Sequence, residues 1–295
     1  MIFEASTNLL NIAYHEAGAK GNPVALLLHG WPDDATTWEK VMPELMAEGY
    51  RVIAPYFRGF GKTKFKSANA LRTGNTGIHA LDMISLMDSL NIDTASVIGH
   101  DWGANVAEYL AINWPDRIKC LAMISSTPRL GGMPTPSFEQ ALLDWYHWFQ
   151  ATKRGQQAVK DDPIGFAHLM WVNWSPKGWF DENKFEQVAK SWQNDDFVAV
   201  TLHSYQSRWD EAEPDPASVD LENKVKLTKT LSLPAIYIQG EKDRVNPPEV
   251  SESVHEKFTG SFSRILIPNI GHFPSREVPA ALSNHLINFL NRHNS

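Results

Sequence analysis

Short apolar runs alternate with stretches of helical spacing along most of the chain. Val24-Ala25-Leu26-Leu27-Leu28 is a continuous apolar run ending at His29-Gly30. Arg51-Val52-Ile53-Ala54-Pro55, Ala95-Ser96-Val97-Ile98-Gly99 and Ile118 to Ser125 repeat the pattern. Runs without polar alternation predict central strands covered on both faces. Between them, Thr36 to Met46 carries Trp38, Val41, Met42 and Leu45 at helical spacing, and Thr76 to Leu90 and Ala104 to Asn113 also read as helices. Residues 2–17 hold apolar stretches broken by Ser6-Thr7-Asn8, which predicts a leading hairpin. The β-α-β-α-β order predicts an α/β protein with a mostly parallel sheet and helices on both faces.

The rhythm stops near residue 129. From there to about residue 228 no strand-like run occurs, and seven of the chain's 11 tryptophans fall in this stretch, from Trp145 to Trp209. Short helical segments with aromatic faces are interrupted by Pro134, Pro136, Pro163 and Pro176. Strand and helix then resume with Ala235-Ile236-Tyr237-Ile238-Gln239, Arg264-Ile265-Leu266-Ile267-Pro268 and a final helix from about Pro279 to Asn291. The expected organisation is a core domain of residues 1–128 and 229–295 carrying a helical cap, or lid, of residues 129–228. Aromatics at helical spacing usually pack, so Trp171, Trp174, Trp179 and Trp192 are assigned to the core of that cap.

Composition narrows the function. The 295 residues are 43% hydrophobic, and the 18 Gly and 18 Pro are scattered, which excludes disorder. Cys120 is the lone cysteine, which excludes a disulfide scaffold. A formal charge of −7 offers no basic field for nucleic acid. No apolar run approaches the ~20 residues that span a bilayer, and the N-terminus lacks a basic segment followed by an apolar one. The expectation is a cytoplasmic enzyme, monomeric or homodimeric, without membrane contact. No ligand cluster, phosphate loop or dinucleotide fingerprint occurs, so no metal or organic cofactor is implied.

Gly99-His100-Asp101-Trp102-Gly103 joins a predicted strand to a predicted helix. It has the small-x-nucleophile-x-small pattern of a strained elbow that lifts one side chain above the sheet, with glycines where backbones approach closely. The lifted residue is Asp101. A carboxylate is already ionised at neutral pH and suits displacement at an sp³ carbon, giving an alkyl-enzyme ester. His29-Gly30-Trp31-Pro32 follows a buried strand, and the Trp31 and Trp102 backbone N–H groups together could form an oxyanion hole. Asp243 and His272 each follow a later strand, in the order nucleophile, acid, base. His272 would activate water, and Asp243 would orient it and stabilise its charge. Asp33 and Asp34 are read as a helix N-cap and a solvated neighbour.

On these motifs, with Arg58-Gly59-Phe60-Gly61 and Gly271-His272-Phe273, the chain resembles the α/β-hydrolase superfamily over essentially its whole length. Within it the sequence looks like the Asp-nucleophile branch of epoxide hydrolases and dehalogenases. The resemblance implies two lid tyrosines that donate to an epoxide oxygen. Tyr205, in His203-Ser204-Tyr205-Gln206-Ser207-Arg208, matches the second. For the first, counting back from Phe149-Gln150 reaches Trp145, with Tyr146 beside it. Tyr146-His147-Trp148 also resembles the halide-holding segment of haloacetate dehalogenases. Those enzymes carry Arg one and four positions after the nucleophile, where this chain has Trp102 and Asn105. Haloalkane dehalogenases share the Trp but commonly place Asn where Trp31 stands. Haloacetate and many haloalkane enzymes draw the acid from the strand before the lid, which here ends in Ser125-Ser126-Thr127. The acid at Asp243 therefore favours the epoxide hydrolase layout. Tyr56 departs from the family, where an Asp is frequent.

The leading expectation is opening of small apolar epoxides to vicinal diols through an Asp101 ester. The pocket is expected to include His29, Trp31, Pro32, Trp102, His147, Trp148 and Tyr205. Hydrolytic dehalogenation of haloalkanes or haloacids is the alternative, and a non-catalytic ligand-binding relative is a third.

Overall fold

The continuous apolar runs become strands buried on both faces because helices close the sheet from either side. The computed structural model describes residues 2–293. An antiparallel hairpin, β1 (Ile2–Ser6) and β2 (Leu10–Ala17), leads into β3 (Val24–Leu28), β4 (Arg51–Pro55), β5 (Lys64–Phe65) and β6 (Ala95–His100). The sheet continues through β7 (Ile118–Ile124), β8 (Ala235–Gly240) and β9 (Phe262–Ile267). The spatial order is β1-β2-β4-β3-β6-β7-β8-β9, with β5 paired to β2. Every pair from β4 to β9 is parallel. The chain runs from β3 outward to β4, then returns to β6 on the other side. Such a reversal of direction opens a crevice beyond the strand C-termini. Leu28 pairs with Gly99, Gly99 with Met123 and Ile124 with Ile238, so those C-termini stand level.

Three helices flank this part of the sheet: α1 (Met42–Ala47), α2 (Thr76–Ser89) and α3 (Trp102–Asn113). The helix expected over Thr36 to Met46 divides into a 3₁₀ turn at Ala35–Trp38 and α1. Pro43 explains the break, because it lacks the N–H that a helix running through would need. The two-residue β5 has no counterpart in the hydrophobic pattern. β9 begins two residues earlier than expected, at Phe262.

Between β7 and β8 the chain is helical: α4 (Phe138–Leu143), α5 (Trp145–Ala151), α6 (Lys153–Asp161), α7 (Pro163–Trp174), α8 (Glu182–Ala189), α9 (Phe197–Arg208) and α10 (Val219–Leu227). Capping marks their starts: Ser137, Thr152, Asp162 and Asp181 each accept a backbone N–H from the first turn. α10 differs from the rest. It packs on α2 and α3, and Glu222 accepts from Asn75, Gly77 and Tyr109. α10 thus lies with the helices that flank the sheet. After β9 the chain closes with α11 (Pro274–Glu277) and α12 (Pro279–His293).

One ion pair inside the core has a measurable consequence. Arg58 grips Asp82 in a fork, Nε to Oδ2 at 2.6 Å and Nη2 to Oδ1 at 2.7 Å, and both residues are buried. Arg58→Met should cost about 3–5 kcal/mol in urea unfolding, since Asp82 would be buried without its partner. Pairing it with Asp82→Leu should recover most of that loss.

Candidate active site

The elbow after β6 holds Asp101 at φ 52°, ψ −115°. An L-residue with that positive φ carries strain of roughly 1–3 kcal/mol. Its glycines are required by contact: a Cβ on Gly99 would lie 2.0 Å from the Gly103 carbonyl oxygen, and one on Gly103 2.2 Å from that of Leu28. The Asp101 N–H donates to Ile124 O at 2.9 Å, tying the elbow to β7. The Trp31 N–H donates to Asp101 Oδ1 at 2.8 Å, so the loop after β3 already grips the carboxylate.

His272, on the loop after β9, is fully buried. Its Nδ1–H donates to Asp243 Oδ2 at 2.9 Å, and its Nε2 stands 3.7 Å from Asp101 Oδ2 with no hydrogen bond. Asp243, beyond β8, accepts from the Val245 and Asn246 N–H groups through Oδ1, which leaves Oδ2 for His272. Burial would lower the His272 pKa, but the charges of Asp243 and Asp101 outweigh it and raise the value to about 10. Burial would raise that of Asp101, yet the neighbouring His272, then His100 and the Trp31 N–H, hold it below the usual carboxylate value. Both shifts favour an imidazolium between two carboxylates. Because the folded pKa of His272 exceeds its ordinary 6.5, its stabilisation is complete below pH about 6.5 and is lost as pH rises toward about 10. His272→Gln should flatten the pH dependence of urea-unfolding free energy across that interval.

Aromatic side chains roof the carboxylate. Trp31 stacks on Tyr146 at 6.2 Å and on Trp102 at 6.4 Å between ring centroids, and meets Tyr205 edge-on at 5.2 Å. Tyr205 contacts Trp102 at 5.6 Å and Tyr146 at 5.5 Å. Both phenols are buried, and both pKa values rise well above 10: by burial first, then for Tyr205 by the Asp101 charge, and for Tyr146 by Tyr205 before Asp144 and Asp101. Trp145 is 40% exposed, so α5 turns Tyr146 inward and Trp145 away. The indole N–H groups of Trp31 and Trp102 are buried without a hydrogen-bond partner.

Other expected pocket residues are placed differently. His29 spends both nitrogens on backbone: Nδ1 bonds Gly30 O at 2.9 Å and Nε2 accepts the Phe57 N–H at 3.1 Å. Its pKa falls to about 4 by burial, so it is a neutral brace for the loop rather than a pocket wall. Pro32 gives its carbonyl to the Trp171 indole N–H. Trp148 leaves the site, packing at a tilt on Trp209 at 4.4 Å between ring centroids and donating to Ala141 O. Its helical position points it to the far side of α5 from Tyr146. His147 packs on Tyr205 at 4.9 Å, behind the two tyrosines. The N-cap of the 3₁₀ turn is Asp34, not Asp33, and Asp34 is buried rather than solvated; Asp33, also buried, forms an ion pair with Arg276. Tyr56 is buried, its hydroxyl bonded to His15 Nε2 at 2.9 Å.

Several residues around the site carry no motif in the sequence. Trp174, assigned to packing, also meets His272 at 5.0 Å, Tyr146 at 5.0 Å and Trp31 at 5.8 Å. Ser175 Oγ accepts the His272 N–H at 2.8 Å and donates to Glu277. Glu277 also accepts the Gly271 and Phe273 N–H groups, clamping the loop on both sides of His272. His100 holds the His272 carbonyl through Nε2 at 2.6 Å. Only the closeness of Glu277 to His272 in the chain hinted at this clamp.

Residues 23–277 match the family model of the alpha/beta hydrolase fold. The chain belongs to this family. The hydrolase is 28% identical to an epoxide hydrolase of Caballeronia sordidicola, over 98% of its own length and 93% of the relative. It is also 28% identical to a fluoroacetate dehalogenase of a Burkholderia species, over 58% of each chain. A crystal structure of a proposed epoxide hydrolase from Klebsiella pneumoniae superposes with TM-score 0.92 at 33% identity, over 97% of this chain and 96% of that one. The hydrolase is thus related to epoxide hydrolases and dehalogenases, and the reading as a non-catalytic ligand binder is set aside. Among the described residues no helix is long and apolar enough to cross a membrane.

Proposed function

We propose that this hydrolase opens small apolar epoxides to vicinal diols through an ester on Asp101, beneath a lid formed by α4 to α9. The observation that carries the reading is the pair of buried tyrosines, Tyr146 and Tyr205, packed on the Trp31 whose N–H grips Asp101. An epoxide oxygen leaves as an alkoxide and needs a proton, and a phenol held protonated by burial supplies it. Asp101 forms a bond to one ring carbon, the carbon–oxygen bond breaks, and the tyrosines protonate the released oxygen. Esterification removes the Asp101 charge, one of those that keep His272 protonated, so His272 gives up its proton, which restores the phenol that protonated the released oxygen, and becomes a base. It then draws a proton from water, which attacks the ester carbonyl. The Trp31 and Trp102 N–H groups would hold the oxyanion, and collapse frees the diol and restores Asp101.

A second reading has its own observation. Two buried, unpartnered indole N–H groups, on Trp31 and Trp102, are donors suited to a departing halide. One assay separates the two: parallel measurement of diol from a styrene-type epoxide and of halide from a haloalkane and a haloacetate. Diol without halide supports epoxide hydrolysis. Halide without diol overturns it in favour of dehalogenation.

A further inference from the structure

A cavity lies behind Tyr205, away from Asp101. It is a cleft of about 640 Å³ between α9, α10 and the segment after β7, and neither Asp101, Asp243 nor His272 lines it. Two arginines line it, Arg129 and Arg208. Among the described residues neither is in an ion pair with a carboxylate. Arg129 donates to Thr76 Oγ1 at 3.1 Å. Arg208 lies 4.9 Å over the Tyr205 ring, reaches His147 Nε2 at 3.3 Å, and keeps its Nε buried without a partner. His147 is itself a poor acceptor for that cation. Its Nδ1 already faces the Trp209 indole N–H at 3.2 Å, and a neutral imidazole can accept at only one nitrogen.

Of the carboxylates nearby, Asp210 stands at the exposed edge of the cleft, and Asp144, which accepts from Gln140 Nε2, feels both arginines without forming an ion pair with either. Glu222 is taken by Tyr109, Asn75 and Gly77, and Glu108 by the Arg129 and Leu130 backbone N–H groups. The two cations feel each other: burial and then the Arg208 charge lower the Arg129 pKa to about 10. Lys226 adds a third positive group at the cleft, while the indoles of Trp148 and Trp209, packed against each other at a tilt, form apolar walls with Met133. Like charges held close in a partly buried cleft call for an anion between them.

We propose that this cleft binds an organic carboxylate, its head held by Arg129 and Arg208 and its apolar body laid against Trp148 and Trp209. The site does not depend on which leaving group Asp101 displaces. The test is calorimetric titration of the full chain, in its Asp101→Asn form so that no turnover intervenes, with octanoate, with octanol as the neutral match and with sulfate as a bare anion. The Met133 methyl resonance, recorded alongside, reports occupancy of this cleft rather than of the Asp101 pocket. Octanoate should bind saturably and shift Met133, and octanol should bind at least about tenfold more weakly. Arg129→Met and Arg208→Met should each weaken octanoate by about tenfold or more, with Arg129→Lys between them and the parent because it keeps the charge without the fork. Unchanged melting temperatures would show that the variants are folded. Octanoate that fails to bind the parent, binds it without moving Met133, or binds folded Arg129→Met equally well overturns the proposal. Sulfate competing as well as octanoate overturns it in favour of a site for any anion.

Discussion

Asp101→Ala should lower turnover by about 10⁴-fold or more, and His272→Gln should stop the reaction halfway with the substrate attached to Asp101. The geometry separates the two effects. Asp101 stands on the elbow with its Oδ1 held by Trp31, so without it no ester can form. His272 lies 3.7 Å from Asp101 Oδ2, a spacing that serves deprotonation of a water beside the ester rather than the first displacement. Single-turnover mixing of the His272→Gln variant with an epoxide, followed by peptide mass spectrometry, should show one substrate mass on the peptide holding Asp101. In the parent enzyme, one turnover in heavy-oxygen water should place the label in the Asp101 carboxylate, because water attacks the ester carbonyl. A diol carrying the label beside an unlabelled Asp101 would falsify the ester route.

The second large effect is expected from the tyrosines. Tyr205→Phe should lower epoxide turnover by about 10²-fold, within the usual range for general acid catalysis. Tyr146 meets Tyr205 at 5.5 Å, and both pack on Trp31, the first stacked and the second edge-on, so two phenols stand together beside the carboxylate. Each single variant therefore retains a donor, and Tyr146→Phe/Tyr205→Phe should lose far more than either alone. Halide departure needs no proton and can use the free Trp31 and Trp102 indole N–H groups. Any halide release should accordingly survive in the double variant. Full epoxide turnover there would sink the tyrosine mechanism.

The legible parts of the site are those tied to local backbone geometry. The elbow around Asp101 needs glycine at both ends, and that need is written in five consecutive residues. Asp243 and His272 follow strands whose apolar runs are continuous, so strand periodicity leads to them. The lid was less legible, because a helix buries one face of several aromatics and spacing alone does not say which face meets the pocket. Tyr146 and Trp145 are neighbours about 100° apart on α5. Docking of that helix on Trp31 buries the first and exposes the second. The same rotation carries Trp148 to the outer cleft. His29 shows the opposite case: it sits within a recognisable motif, yet burial against Phe57 and Phe60 turns it to bracing work.

The sequence by itself determined the alternation of buried strands and helices, the helical insertion, the elbow that presents a carboxylate, and the order of Asp243 and His272 behind it. These follow from short-range rules: apolar period, turn sterics and the chain order of a parallel sheet. Tertiary structure alone decided which aromatics face Asp101, that Glu277 and Ser175 clamp His272, that Asp33 pairs with Arg276, and that Arg129 and Arg208 share a cleft. Each of these depends on side chains distant in sequence meeting across packed elements. The physical reason is that burial and the neighbouring charges it imposes are properties of the assembled core, and no window of sequence contains them.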